Sequence, residues 1–172
     1  MEIPMKINVA KTGAENILDL VLDANPGLTL TAAQFTLGNP SVFAGTGGRN
    51  TQVTLTAVEG EGKTGSKTID YTRLNPVTGP NAGQAVTGVE TALDATDVQV
   101  KAALVALFGL VAADVTVADL VLPVDADTDG SITLAAGANS LLYVGSTSVV
   151  LKAPVEDLSG INGQMNGFEP EA

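Results

Sequence analysis

A chain of 172 residues is long enough to bury a core, and 45% hydrophobic content with only 3% aromatics means that Val, Leu, Ile and Ala must build it. With no Cys and no His, disulfides, thiolate metal sites and every Ser/His or Cys/His nucleophile pair are excluded. A formal net charge of −11 opposes binding to a nucleic-acid backbone, and no apolar run approaches the ~20 residues of a membrane span.

Residues 1–11 read as a short arm whose start, Met1-Glu2-Ile3-Pro4, lacks the basic-then-apolar pattern of an export signal. Thr12-Gly13-Ala14-Glu15 has the spacing of a capping box, and Ile17, Leu18, Val21 and Leu22 then share one helical face. Asn25-Pro26-Gly27 ends this helix. Thr31 to Gln34 is a single helical turn, followed by an extended stretch from Phe35 to Phe43 that Gly38-Asn39-Pro40 interrupts. After the turn from Gly45 to Asn50, Val53, Leu55 and Ala57 alternate with polar residues as in a half-buried strand, and the hairpin returns along Thr68 to Leu74.

Asn75 to Ala95 is rich in Gly, Pro, Thr and Asn and reads as a connection. Thr96-Asp97-Val98-Gln99 is a second capping box. Val100, Ala103, Leu104, Leu107 and Phe108 give the stripe of a second helix, and Gly109 a left-handed stop. Strands are expected at Val115 to Val124, Ile132 to Ala136, Ser140 to Val144 and Ser148 to Lys152.

The two stretches read as one unit written twice, with Gly27-Leu28 answering to Gly109-Leu110, Val53 to Ala57 answering to Ile132 to Ala136, and a strand with Tyr71 answering to one with Tyr143. The expected fold class is α+β, a mainly antiparallel β-sheet or sandwich with two amphipathic helices. The expected organisation is an arm at 1–11, a single domain at 12–156 and a tail at 157–172. Within the domain, pseudo-repeat halves at 12–76 and 96–154 flank a linker at 77–95.

Asp125-Ala126-Asp127-Thr128-Asp129-Gly130 opens like an EF-hand loop, with carboxylates at positions 1, 3 and 5 and Gly at 6, so Asp125, Asp127 and Asp129 form the one candidate calcium site. Against it, Ala136 stands where that loop needs a bidentate Glu, the flanks read as strands, and the matching turn Gly45 to Asn50 has no acid; a solvated hairpin turn fits better. Gly45-Thr46-Gly47-Gly48 lacks the Lys-Ser/Thr and helix of a phosphate loop. Asp19 and Asp23 share a helix face but no third group converges on them. No catalytic or cofactor-binding residue is assigned, and the expectation is a protein that is not an enzyme. Both ends carry isolated apolar residues suited to contact with other subunits: Ile3, Met5 and Ile7, then Leu158, Ile161, Met165 and Phe168.

The helix Ala14 to Ala24, the link Pro26 to Thr31, the segment Phe35 to Pro40, the hairpin Asn50 to Val58 with its return Ile69 to Asn75, Leu141 to Ser146 and Asn166-Gly167-Phe168 together resemble the small virion structural proteins of large tailed bacteriophages. The likeness covers most of residues 12–168, although the Asp125 to Gly130 turn is not a feature of that group and no functional residue carries over. The resemblance implies a capsid decoration or cement protein on the outer head surface, with the major capsid protein or neighbouring copies of itself as partners; from the charge and the lack of an apolar span, no nucleic acid and no membrane are expected, nor any cofactor. Two other readings remain open at this point: a tail-tube, collar or baseplate component, and a calcium-dependent extracellular binding module. A carboxylate-based hydrolase would require a cleft with two converging acids.

Overall fold

The computed structural model describes residues 5–79, 88–125 and 127–154. It is α+β, with two α-helices and two four-stranded sheets among the described residues.

The first helix, α1 (Gly13–Ala24), starts where its capping box requires. Glu15 N donates to Thr12 Oγ1, and the Glu15 carboxylate accepts from Thr12 N at 2.8 Å. A 3-10 turn at Ala32–Gln34 leads into β1 (Phe35–Leu37) and β2 (Ser41–Val42), both antiparallel to β3 (Thr51–Ala57), whose other edge carries β4 (Ser66–Tyr71). Ile17 and Val21 from α1 pack on Phe35, Val53, Leu55 and Tyr71 to form one core.

The second half runs through α2 (Asp97–Phe108), a 3-10 turn at Ala112–Asp114, β6 (Val115–Val121), β7 (Gly130–Ala136) and β8 (Ser146–Lys152). Thr96 and Gln99 form the capping box of α2, and Gly109 takes the left-handed φ of 59° that closes the helix. Val100, Leu104 and Phe108 pack on Ile132, Leu134, Val149 and Leu151 in a separate core. The sequence pattern suggested one core; the chain builds two, one per half.

The order of elements and the strand register recur between the halves. Phe35 pairs with Ala57 and Leu37 with Leu55, as Val115 pairs with Ala136 and Val117 with Leu134. The ladder then breaks, at Gly38-Asn39-Pro40 in one half and at a bulge before Val121 in the other, where Asp119 takes a φ of 55°. It resumes with Ser41 opposite Gln52, as with Val121 opposite Ser131. On the far side Val53 faces Ile69 and Ile132 faces Val149.

Two expectations need correction. Ser140 to Val144 is a bend, because Ser140 Oγ accepts from both Leu142 N and Tyr143 N and turns the chain out of the ladder. The counterpart of Tyr71 is therefore Leu151, since these residues face Thr51 and Gly130 respectively, and Tyr143 has no equivalent in the first half. The linker expected at 77–95 is also partly built in: Val77 is buried, and β5 (Val89–Glu90) adds a parallel edge to β8. The second sheet is thus β5-β8-β7-β6.

Candidate functional site

The bend that replaces the expected strand forms a seam between the halves. Leu74 N donates to Leu142 O and Val144 N to Leu74 O, a short parallel bridge, while Tyr71 donates its hydroxyl to Leu141 O at 2.9 Å. Arg73, only 8% exposed, lies in this seam with Nε on Thr51 Oγ1 and Nη1 on Ser140 O. Asn50 brackets the Arg73 backbone, accepting from its N–H and donating to its carbonyl. Tyr143, fully buried, accepts from Val111 N. Burial pushes the Tyr71 hydroxyl up to about 12 and raises that of Tyr143. Among the described residues no buried side-chain polar atom lacks a partner, so the polar groups of the seam are spent on holding the halves together.

The acidic turn does not gather its carboxylates. Asp125 Oδ1 accepts from Asp127 N at 3.0 Å, and hydrogen bonds from the Thr128 side chain first and the Asp127 amide second hold the Asp125 carboxyl below its ordinary range. Asp129 is paired with Lys152 Nζ at 2.5 Å. Among the described residues no group of three acids is placed to hold a metal ion. Arg49 in the Gly45 to Asn50 turn pairs with Asp70 and bonds Thr46, and Asp19 pairs with Lys11, all near the surface, where such pairs contribute little.

The apolar residues of the arm divide. Ile7 is half-buried and packs against the core of the second half. Met5 is exposed. Buried Asn16 fastens the arm, accepting from Asn8 N at 2.7 Å and donating to Asn8 O and Thr12 O. Ile3 and the tail positions Leu158, Ile161, Met165 and Phe168 lie outside the described residues.

The outer face of α2 is what the sequence reading missed. Val98, Ala102, Val105 and Ala106 line an open groove of about 340 Å³ with Lys101 and, from the following 3-10 turn, Ala112. Val98 is 77% exposed and Leu107 58%. The signal was available: of the twelve residues of α2 only Asp97, Gln99 and Lys101 are polar, too few to wet a whole helix face. Its counterpart α1 turns Glu15, Asp19 and Asp23 outward instead. Both helices have twelve residues, and among the described residues no helix is long and apolar enough to cross a membrane.

A model of a family of unknown function, DUF7941, matches residues 6–162. The chain belongs to this family. No curated protein and no solved structure matches it. The stretch shared with DUF7941 takes in both helices, both sheets and the seam, so the family unit comprises the paired halves and not one of them.

Proposed function

We propose that this DUF7941 chain is a non-enzymatic virion structural protein, a capsid decoration protein that binds the outer head surface in many copies and contacts the major capsid protein and neighbouring copies of itself. The observation that supports this reading is the amount of apolar side chain left outside both cores. Val42 on β2 is 82% exposed, Val98 on α2 77%, and Val124 after β6 73%. Isolated exposed apolar residues are common, but a whole helix face of them is suited to being covered by another surface. Arg73 is spent on the seam, and Asp129, Asp19 and Asp70 on ion pairs. A net charge of −11 keeps such a subunit soluble before assembly, and repetition on a lattice turns weak contacts into durable ones.

The recurrence of register and of the ladder break at the same point supports a second proposal, that the halves arose by internal duplication.

The test is co-sedimentation of the full chain with assembled particles and its stoichiometry to the major shell protein. The proposal expects many copies per particle, reduced in a V42K/V98K/V124K variant that still folds. A ratio of a few copies per particle would move the chain to a tail-tube, collar or baseplate position. A monomer that never joins a larger complex, or that turns over a small molecule, would end the structural reading altogether. Removal of residues 1–11 is a poor test, because Asn16 and Ile7 tie that arm into the fold.

A further inference from the structure

We infer that the open edge of β4 is a self-association surface, on which a second copy of this chain lays its own β4 antiparallel about a two-fold axis, Thr68 facing Thr68. This deepens the reading of contact between copies given above, but it rests on backbone groups instead of exposed apolar side chains and holds for the free chain without a particle.

The register shows which backbone groups are open. Ala57 N donates to Gly65 O, and the ladder continues with Leu55 opposite Lys67, Val53 opposite Ile69 and Thr51 opposite Tyr71. Bonded pairs alternate in an antiparallel ladder, so the odd-numbered residues of this line turn their N–H and C=O towards β3, while Ser66, Thr68 and Asp70 turn theirs away. Leu74, farther along the same line, keeps the parity: its N–H and carbonyl are bonded to Leu142 and Val144 of the second half. Among the described residues β4 pairs with β3 alone, and Ser66, Lys67, Thr68 and Asp70 are exposed.

Every other edge carries a guard against such pairing. The edge formed by β1 and β2 is short and interrupted at Gly38-Asn39-Pro40. On β6 the ladder is broken by the bulge at Asp119. Strand β8, which holds the place of β4 in the second half, takes β5 on the corresponding edge. Strand β4 has six residues with neither Pro nor bulge, and its one guard is the charge of Lys67.

A second copy is the occupant because the edge is complementary to itself in one register. Two-fold pairing must set the outward residues opposite one another, which centres it on a residue of the strand. A centre at Lys67 or Asp70 opposes like charges, and one at Ile69 sets Lys67 against buried Tyr71. A centre at Thr68 pairs the whole stretch from Ser66 to Asp70. It sets each Ser66 hydroxyl against an Asp70 carboxylate and Lys67 against Ile69, along which its alkyl stem can lie. Thr68 already meets Thr54 Oγ1 at 2.9 Å, so the two copies extend one row of threonines across the axis. The junction gains about six backbone hydrogen bonds.

The test is sedimentation of the free full chain over a dilution series, with amide exchange measured in parallel. A monomer–dimer equilibrium is expected, in which the amides of Ser66, Thr68 and Asp70 are slow in the dimer and fast on dilution while those of Lys67 and Ile69 stay slow throughout. T68P removes an outward N–H without taking a bond from β3, and should weaken the dimer by about thirtyfold. T68K and T68D, which leave the backbone unchanged, should each weaken it alone and restore it when mixed. The V42K/V98K/V124K variant should dimerise like the parent, so failure here and failure of particle binding are told apart. A chain monomeric at every concentration, outward amides slow regardless of dilution, or a dimer that T68P, T68K and T68D all leave intact would each overturn the inference; the second result would assign the edge to the chain's own residues, and the third would move the contact to another surface.

Discussion

Arg73 Nη1 donates to the carbonyl oxygen of Ser140 across the seam, at 2.9 Å, while its Nε holds Thr51 Oγ1 at 2.8 Å. One buried fork thus links β3 of the first half to the bend of the second. Replacing Arg73 by Ala leaves the Thr51 hydroxyl its bond to Asn50 Oδ1 but takes from it a charged donor, takes the same donor from the carbonyl of buried Ser140, and should cost about 1–3 kcal/mol. Lys cannot reach two acceptors in different directions with one planar group, so R73K should recover only part of the loss. Urea unfolding monitored by far-ultraviolet dichroism measures both. Because each half has its own core, R73A should also broaden or split the transition, and an R73A midpoint equal to that of the parent would show that the seam carries no stability.

Much of this architecture was legible in the sequence, for local reasons. Both capping boxes, the Gly109 stop and the alternation of Val53 and Leu55 are written in neighbouring residues, and each lies where its pattern places it. The seam was not legible, because Leu141 to Val144 is apolar enough for a strand. What removes it from the ladder is the Ser140 hydroxyl, together with a partner, Leu74, that is remote in sequence. The β5 edge was hidden for the same reason, as Val89 gains its strand partner only from Leu151. At the candidate site, the spacing of Asp125, Asp127 and Asp129 was readable, but the ion pair of Asp129 with Lys152, remote in sequence, was not.

Gly130 occupies the position in β7 that Thr51 occupies in β3, yet the two face opposite demands. Thr51 uses its side chain to receive Arg73, whereas any Cβ on Gly130 would press on the backbone of the incoming segment, meeting Pro123 N at 2.6 Å, Leu122 C at 2.8 Å and the Val121 carbonyl oxygen closer still. Backbone atoms cannot rotate away as a side-chain tip can. Gly130→Ala should therefore destabilise the chain by about 3 kcal/mol, far more than an ordinary strand Gly→Ala change, and amide exchange should quicken along β6 and β7 before it does in the first sheet. A G130A protein as stable as the parent would mean that Val121 to Pro123 do not close over this position.

Burial of Tyr71 makes stability depend on alkaline pH. Its hydroxyl is raised from 10.0 to about 12 by burial, so the folded chain keeps a proton that the unfolded chain gives up. This contribution is complete below pH 10 and is lost as pH climbs from 10 through 12. Phenolate absorbance should rise late in the native protein and at the ordinary position in denaturant, with Tyr143 delayed as well. In Y71F the native titration should lose one of two tyrosine steps, and the lost Tyr71–Leu141 hydrogen bond should lower stability by about 1 kcal/mol. A native titration superimposable on that of the denatured chain would contradict the burial.

The capping boxes of the two α-helices differ in one atom type, and that difference predicts a pH response confined to one helix. In α1 the box is closed by the Glu15 carboxylate, whose pKa is lowered by hydrogen bonds from the Thr12 backbone first and the Thr12 hydroxyl second. A carboxyl held below its unfolded value stabilises the fold above that value, and the contribution fades as pH falls from the ordinary Glu range, 4.5, through the lowered folded one. Protonation replaces the charged acceptor of Thr12 N–H by a weaker neutral one. In α2 the same place is taken by Gln99 Oε1, 2.9 Å from Thr96 N, which does not titrate. The amide resonances of Thr12 and Thr96 followed by NMR from neutral to acid pH should therefore part company, with Thr12 shifting and exchanging faster while Thr96 holds. Exchanging the two residues, E15Q with Q99E, should transfer the acid sensitivity from α1 to α2. Either cap lost to T12A or T96A should cost about 1 kcal/mol at neutral pH, because both boxes are then intact.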